Sequence, residues 1–208
     1  ERSQLSLVPA STMLSLSQQQ YDEFLTKHKV VSGTSEAQRV ERVGRGIQRS
    51  VEKYFTSKGR AAELRNYAWE FRLVDSKDVN AWCLPGGKVV VYSGILKYAK
   101  TDEQLATVMG HEIAHAVAGH GSERLSQAIV AQGSLIVVDQ LIRDRSPETR
   151  ALTMAALGIG AQVGVMLPYS RLHEREADRL GLIFMAMAGY DPHAAVGFWQ
   201  AMAAQGGD

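Results

Sequence analysis

The chain has 208 residues, 45% of them hydrophobic, so it can bury a sizeable core and is most simply read as one domain spanning residues 1–208. Its 23 basic and 22 acidic residues are interspersed and leave a net charge of +1, a balance without the basic footprint of a nucleic-acid-binding protein. The single cysteine, Cys83, excludes an internal disulfide and leaves the redox compartment unread, and the polar start Glu1-Arg2-Ser3-Gln4 reads as a mature or trimmed N-terminus, not a signal peptide.

Residues 1–31 read as a segment wrapped on the domain. Short apolar alternation in Leu5-Ser6-Leu7-Val8 passes Pro9 into a helical pattern from about Ser11 to His28. Val31-Ser32-Gly33-Thr34 breaks that helix and Ser35 opens another, with Ala37, Val40, Val43, Ile47, Val51 and Tyr54 on a core-facing stripe. Gly44 and Gly46 lower helix propensity there, which predicts close packing against a neighbour. Three strands follow, at Trp69–Val74, Asn80–Leu84 and Lys88–Tyr92, and Pro85-Gly86-Gly87 joins the last two as a hairpin. The result is a small, mainly antiparallel sheet whose edge could pair with a substrate main chain. Cys83 in this hairpin reads as a small buried hydrophobe.

The stretch Thr101 to Gly121 carries the chemistry. Thr101 and Gln104 have the spacing of a capping box, so the residues after them start a helix. His111 and His115 are four apart and stand one above the other on a single face, about 6 Å apart along the axis and close enough to share a metal ion. A zinc ion held by two neutral imidazoles and one more ligand keeps a position for water, and Glu112 beside it can take that water's proton. The pattern would arise by accident about once in a hundred chains of this length, and the apolar positions Leu105, Val108, Met109, Ile113, Ala116 and Val117 supply the buried context it needs. His120 misses the register of a third ligand on this segment and reads as a histidine stabilised by the dipole at a helix C-terminus.

Two apolar runs, Ala128–Val138 and Ala151–Leu167, flank the charged stretch Arg143–Glu148 and fall short of the roughly 20 residues that cross a bilayer. They predict a helical hairpin over the core. The next helix opens with Tyr169-Ser170-Arg171-Leu172-His173-Glu174-Arg175-Glu176-Ala177-Asp178. Glu174 and Asp178 share a face while Glu176 points about 200° away, so Glu174 is assigned to zinc and Asp178 to orienting a ligand imidazole from behind. Asn80 and Tyr169 are candidates for contacting the substrate or the developing oxyanion.

His-Glu-Ile-Ala-His followed by Ser170-Arg171-x-x-Glu174-x-x-Ala177-Asp178 resembles the HtpX-like and Oma-type zinc metallopeptidases, a family that includes the CAAX prenyl endopeptidase and the periplasmic assembly-enhancing protease. Asn80–Gly87 and Gly189-Tyr190-Asp191-Pro192 resemble segments of the soluble bacterial members. The resemblance implies an α+β, mostly helical zincin-like gluzincin with one zinc ion per chain, His111, His115 and Glu174 as ligands, Glu112 as general base and Asp178 in support. It also implies protein or peptide substrates, a role in envelope protein quality control, and export to the bacterial periplasm or outer membrane, with peripheral membrane association through an N-terminal anchor preceding Glu1. Against the family pattern, the chain stops at Gly206-Gly207-Asp208 without a later His-Pro loop, His193 is no substitute for it, and no lipidation cysteine or tetratricopeptide repeat is present. The competing function is a chaperone-like or binding protein with a latent, plugged metal site. An intact Glu112 argues against it, since metal holding alone does not need that carboxylate.

Overall fold

The computed structural model describes residues 4–131, 146–157 and 171–205. Helix α1 spans Ala10–Lys27 and buries Met13, Leu16, Gln20, Tyr21 and Phe24, a three-and-four spacing that turns one stripe toward the sheet. The residues before it are tied to later parts of the chain, where Gln4 Nε2 donates to the Ala118 carbonyl at 2.7 Å and the Leu7 amide donates to Ser126 Oγ at 3.0 Å. Helix α2, Ser35–Ser57, is capped by Thr34, whose hydroxyl accepts from the Ala37 amide at 3.1 Å. The packing expected at Gly44 is there: a Cβ at that position would sit 2.2 Å from the Phe71 ring.

The sheet has four strands in the order β1-β2-β4-β3, with β1 Val30–Val31, β2 Glu70–Val74, β3 Ala81–Leu84 and β4 Lys88–Tyr92. β1 was not anticipated; it pairs antiparallel with β2 through Val30↔Val74 and Val31↔Leu73. β3 and β4 form the expected hairpin, antiparallel from Ala81↔Val91 to Leu84↔Lys88. β2 does not follow as a meander. It runs parallel to β4, from Glu70↔Lys88 to Val74↔Tyr92, so β4 is central and β3 becomes an outer strand. Both faces of β3 and β4 are covered, hence every residue of both strands is buried.

Among the described residues five helices follow: α3 Asp102–Val117, α4 His120–Ala131, α5 Pro147–Leu157, α6 Arg171–Met187 and α7 Ala194–Gln205. On one side of the sheet α2, α3, α6 and α7 close a core around Val43, Ile47, Leu105, Met109, Ile113 and Phe184, all fully buried. On the other side α1, α4 and α5 close a second core around Trp82, Tyr21, Leu84 and Leu125. Of the two apolar runs expected to form a hairpin, the described parts lie at the end of α4, which packs on α5, and within α5, which also packs on α1. Part of what reads as its charged loop is helical, because Ser146 Oγ accepts from the Thr149 amide at 3.3 Å and Pro147 opens α5. The remainder of both apolar runs lies outside the described residues. Among the described residues, no helix is long and apolar enough to cross a membrane.

Candidate metal centre

Helix α3 is fixed at its start from two directions. Thr101 and Gln104 form the reciprocal capping box, with the Thr101 hydroxyl accepting from the Gln104 amide and Gln104 Oε1 accepting from the Thr101 amide, both at 3.3 Å. From α2, Arg39 Nε and Arg42 Nη2 donate to the two oxygens of Asp102 at 2.9 and 2.8 Å, and Asp102 itself favours the positive end of the helix dipole. The helix then runs beside α6 with almost no space between backbones. A Cβ on Gly181 would lie 2.9 Å from the His111 nitrogen and 3.0 Å from the Gly110 carbonyl carbon. This close approach sets what α6 offers to α3, because Glu174, Asp178 and Gly181 follow at i, i+4 and i+7 on one stripe.

The structure therefore brings His111, His115 and Glu174 together, with one donor atom from each lying within 4.8 Å of the others. The imidazole Nε2 atoms of His111 and His115 are 3.0 Å apart, and the Glu174 oxygens stand 3.3 Å from the first and 3.4 Å from the second. A tetrahedral zinc ion with bonds of about 2.0–2.1 Å needs donor separations of about 3.4 Å, so two imidazoles and a carboxylate at these spacings fit it. Behind the cluster, His111 Nδ1 donates to Asp178 Oδ1 at 2.9 Å, and the edge of Trp199 meets the His111 ring at a centroid distance of 5.4 Å. A cavity of about 220 Å³ opens on this rear side, lined by His111, Asp178, Leu182, Val196 and Trp199.

Burial and the facing carboxylates together set the electrostatics of the cluster. Burial alone would lower His111, but its hydrogen bonds to Asp178 and Glu174 outweigh that and raise it to about 10. Burial lowers His115 to about 4. For Glu174 burial acts upward, yet the neighbouring imidazoles of His111 and His115 hold it well below the ordinary carboxylate range. Ligand imidazoles must release their protons to bind a divalent ion. Glu112 is pushed up to about 7 by burial, with His111 opposing and Glu174 adding to the rise.

Of the other residues singled out in the sequence, Asn80 is buried at the head of β3, where its side-chain oxygen accepts from the Ala81 amide at 2.9 Å. Tyr169 lies outside the described residues. His120 is not at a helix C-terminus, since α3 ends at Val117 and His120 begins α4. It is fully buried against His115, with Nδ1 2.9 Å from His115 Nδ1 and Nε2 3.1 Å from Glu176 Oε2. Projection on a straight helix places it about 140° from His115, and the projection fails because Gly119, at φ 75°, turns the chain between them.

The model of peptidase family M48 matches residues 41–206. The chain belongs to peptidase family M48. Within reach of the family are the mitochondrial metalloendopeptidase OMA1 of Arabidopsis thaliana, 38% identical over 162 residues that make up 78% of this chain and 31% of that protein, and its namesake in Schizosaccharomyces pombe, 38% identical over 146 residues, 67% of this chain and 39% of the other. The β-barrel assembly-enhancing protease of Escherichia coli is 30% identical over 131 residues, 61% of this chain and 26% of that one. The resemblance to Oma-type metallopeptidases read from the motifs is thus borne out, and this M48 chain spans about a quarter to two fifths of the length of the curated relatives it matches.

Proposed function

We propose that the chain carries the catalytic site of a zinc-dependent endopeptidase that hydrolyses peptide bonds in protein substrates. One observation carries this reading: His111, His115 and Glu174 converge at zinc-binding spacing, with Glu112 on the next position of α3 and its carboxyl held near neutrality. A zinc ion held by the three supplies Lewis acidity toward the scissile carbonyl and a water molecule. Glu112 accepts the proton of the attacking water and passes it to the amine nitrogen that leaves, a transfer suited to a carboxylate that titrates close to neutral pH. Asp178 accepts from His111 Nδ1 and so leaves Nε2 as the nitrogen that would bind the ion. β3 is the outer strand of the sheet among the described residues and packs beside α3, so its outer edge is where an extended peptide would pair.

The biological setting we assign is protein quality control in a bacterial envelope, at the periplasm or outer membrane. The name of the β-barrel assembly-enhancing proteases of Yersinia pestis and Escherichia coli supports it. The mitochondrial OMA1 relatives support the catalytic class and not this location.

The test is Glu112→Gln on the purified protein. The variant keeps about one zinc per chain, because the ligands remain, and loses chelator-sensitive cleavage of a casein substrate, because the base is gone. Undiminished cleavage by the variant overturns the mechanism, and a zinc-loaded wild type that cuts nothing returns the protein to the latent, binding class.

A further inference from the structure

We propose that His120 and Glu176 are positioning residues for His115, forming a hydrogen-bonded chain that fixes the tautomer and ring orientation in which His115 presents Nε2 to zinc. This rests on the reading of His115 as a zinc ligand.

With His120 neutral, the geometry allows one consistent assignment of protons along the contacts from Glu176 to His115. A Glu176 carboxylate only accepts, so His120 Nε2, 3.1 Å away, carries a hydrogen and donates it. Neutral His120 then has Nδ1 as an acceptor, and the atom facing it at 2.9 Å is His115 Nδ1, which must donate. That leaves His115 Nε2 as a lone pair, and Nε2 is the atom lying 3.0 Å from His111 Nε2 and 3.4 Å from Glu174. Each ligand imidazole therefore has an acceptor behind it. For His111 it is the Asp178 carboxylate directly; for His115 it is a second imidazole backed by a carboxylate.

The relay is held in place by its surroundings. The turn at Gly119 lets His120 fold back so that its ring stands edge-on to His115, with centroids 4.9 Å apart at 76°. The opposite constraint comes from His173, stacked on His120 at 4.4 Å and 16° and itself hydrogen-bonded to buried Glu123 at 3.0 Å. A histidine with no exposed surface, clamped between two other rings, has little freedom to offer His115 a different nitrogen.

Zinc affinity, measured by competition with a colorimetric chelator, separates this role from packing. His120→Phe keeps the ring and the stack on His173 but removes both nitrogens, and should weaken zinc binding about 10–100-fold. His120→Gln keeps an amide oxygen for His115 and an amide N–H for Glu176, and should recover most of that affinity. The d–d absorption of the cobalt-substituted protein should change in His120→Phe and return toward wild type in His120→Gln. A purely packing role predicts the reverse order, with phenylalanine benign and glutamine damaging, and that order overturns the relay, as does wild-type affinity in His120→Phe. His115→Ala is the control for the underlying reading. If it retains zinc at wild-type affinity the ligand assignment itself fails, whereas its loss of zinc beside a wild-type-like His120→Phe removes only the relay.

Discussion

Toward α3, strands β3 and β4 present Ala81, Cys83, Val89 and Val91; toward α1, the same strands present Trp82, Leu84, Val90 and Tyr92. The small residues let the metal-bearing helix lie close against the sheet, just as the Gly110–Gly181 approach lets it lie close against α6. The large residues fill a thicker layer in which Phe24 and Tyr21 meet Trp82 edge-on at 4.9 and 6.5 Å, and the Trp82 indole donates to the Tyr92 hydroxyl at 3.3 Å. Both sides bury apolar area, but only the α3 side brings backbones into such close approach, while the α1 side is filled by large aromatic side chains. Placement and stability are separable duties of the two faces.

Substitutions can break that separation or sharpen it. Trp82→Ala should have the largest effect on stability, about 3–5 kcal/mol from lost burial and the cavity left behind, read as a shift of the denaturation midpoint. Zinc affinity of the folded protein should stay at the wild-type level; an equal loss of affinity would show that the α1 side also positions the site. Gly181→Ala should cost less, about 1–3 kcal/mol, because the added methyl meets backbone that cannot rotate away. It should nonetheless weaken zinc binding, since moving α6 moves Glu174 and Asp178 with it, and unchanged affinity would mean that the close approach is incidental.

The smallest effect expected is at Asp102, whose carboxyl is lowered from its ordinary value of 3.8; burial acts upward there, and the hydrogen bonds from Arg42 and Arg39 more than offset it. A lowered carboxyl stabilises the fold fully above its unfolded value and ceases to as pH falls through the folded one. Asp102→Asn should therefore cost about 1 kcal/mol or less at neutral pH, the pair being partly solvent-screened, and the gap to wild type should close in acid below the ordinary value. A gap that persists there would mean that the arginines hold α3 by packing.

What could be read from the sequence was what is local. The Thr101 capping box, the i, i+4 pairing of His111 with His115 and of Glu174 with Asp178, and the Pro85-Gly86-Gly87 hairpin each lie within a few residues, where helix and turn geometry leave few choices. The parallel seat of β2 beside β4 was not legible, because pairing between strands with another strand between them in sequence is decided by what covers the two faces, and no turn motif encodes that. His120 and Glu176 escaped for a related reason. A helical wheel drawn through Gly119 assumes a helix that the positive φ has already ended, so the wheel pointed His120 away from the residue it touches.

Cys83 sits in the seam between β3 and α3, fully enclosed, and burial, reinforced by the charge of Glu112, raises its thiol well above 9.0. As the single thiol of the chain it is a chemical clock with no background signal. A thiol reagent should find it silent in the native state and label it at the rate at which that seam parts. Followed against denaturant, that rate distinguishes a strand lifting away from the site helix from unfolding of the whole domain, at a position close enough to Glu112 to feel its charge.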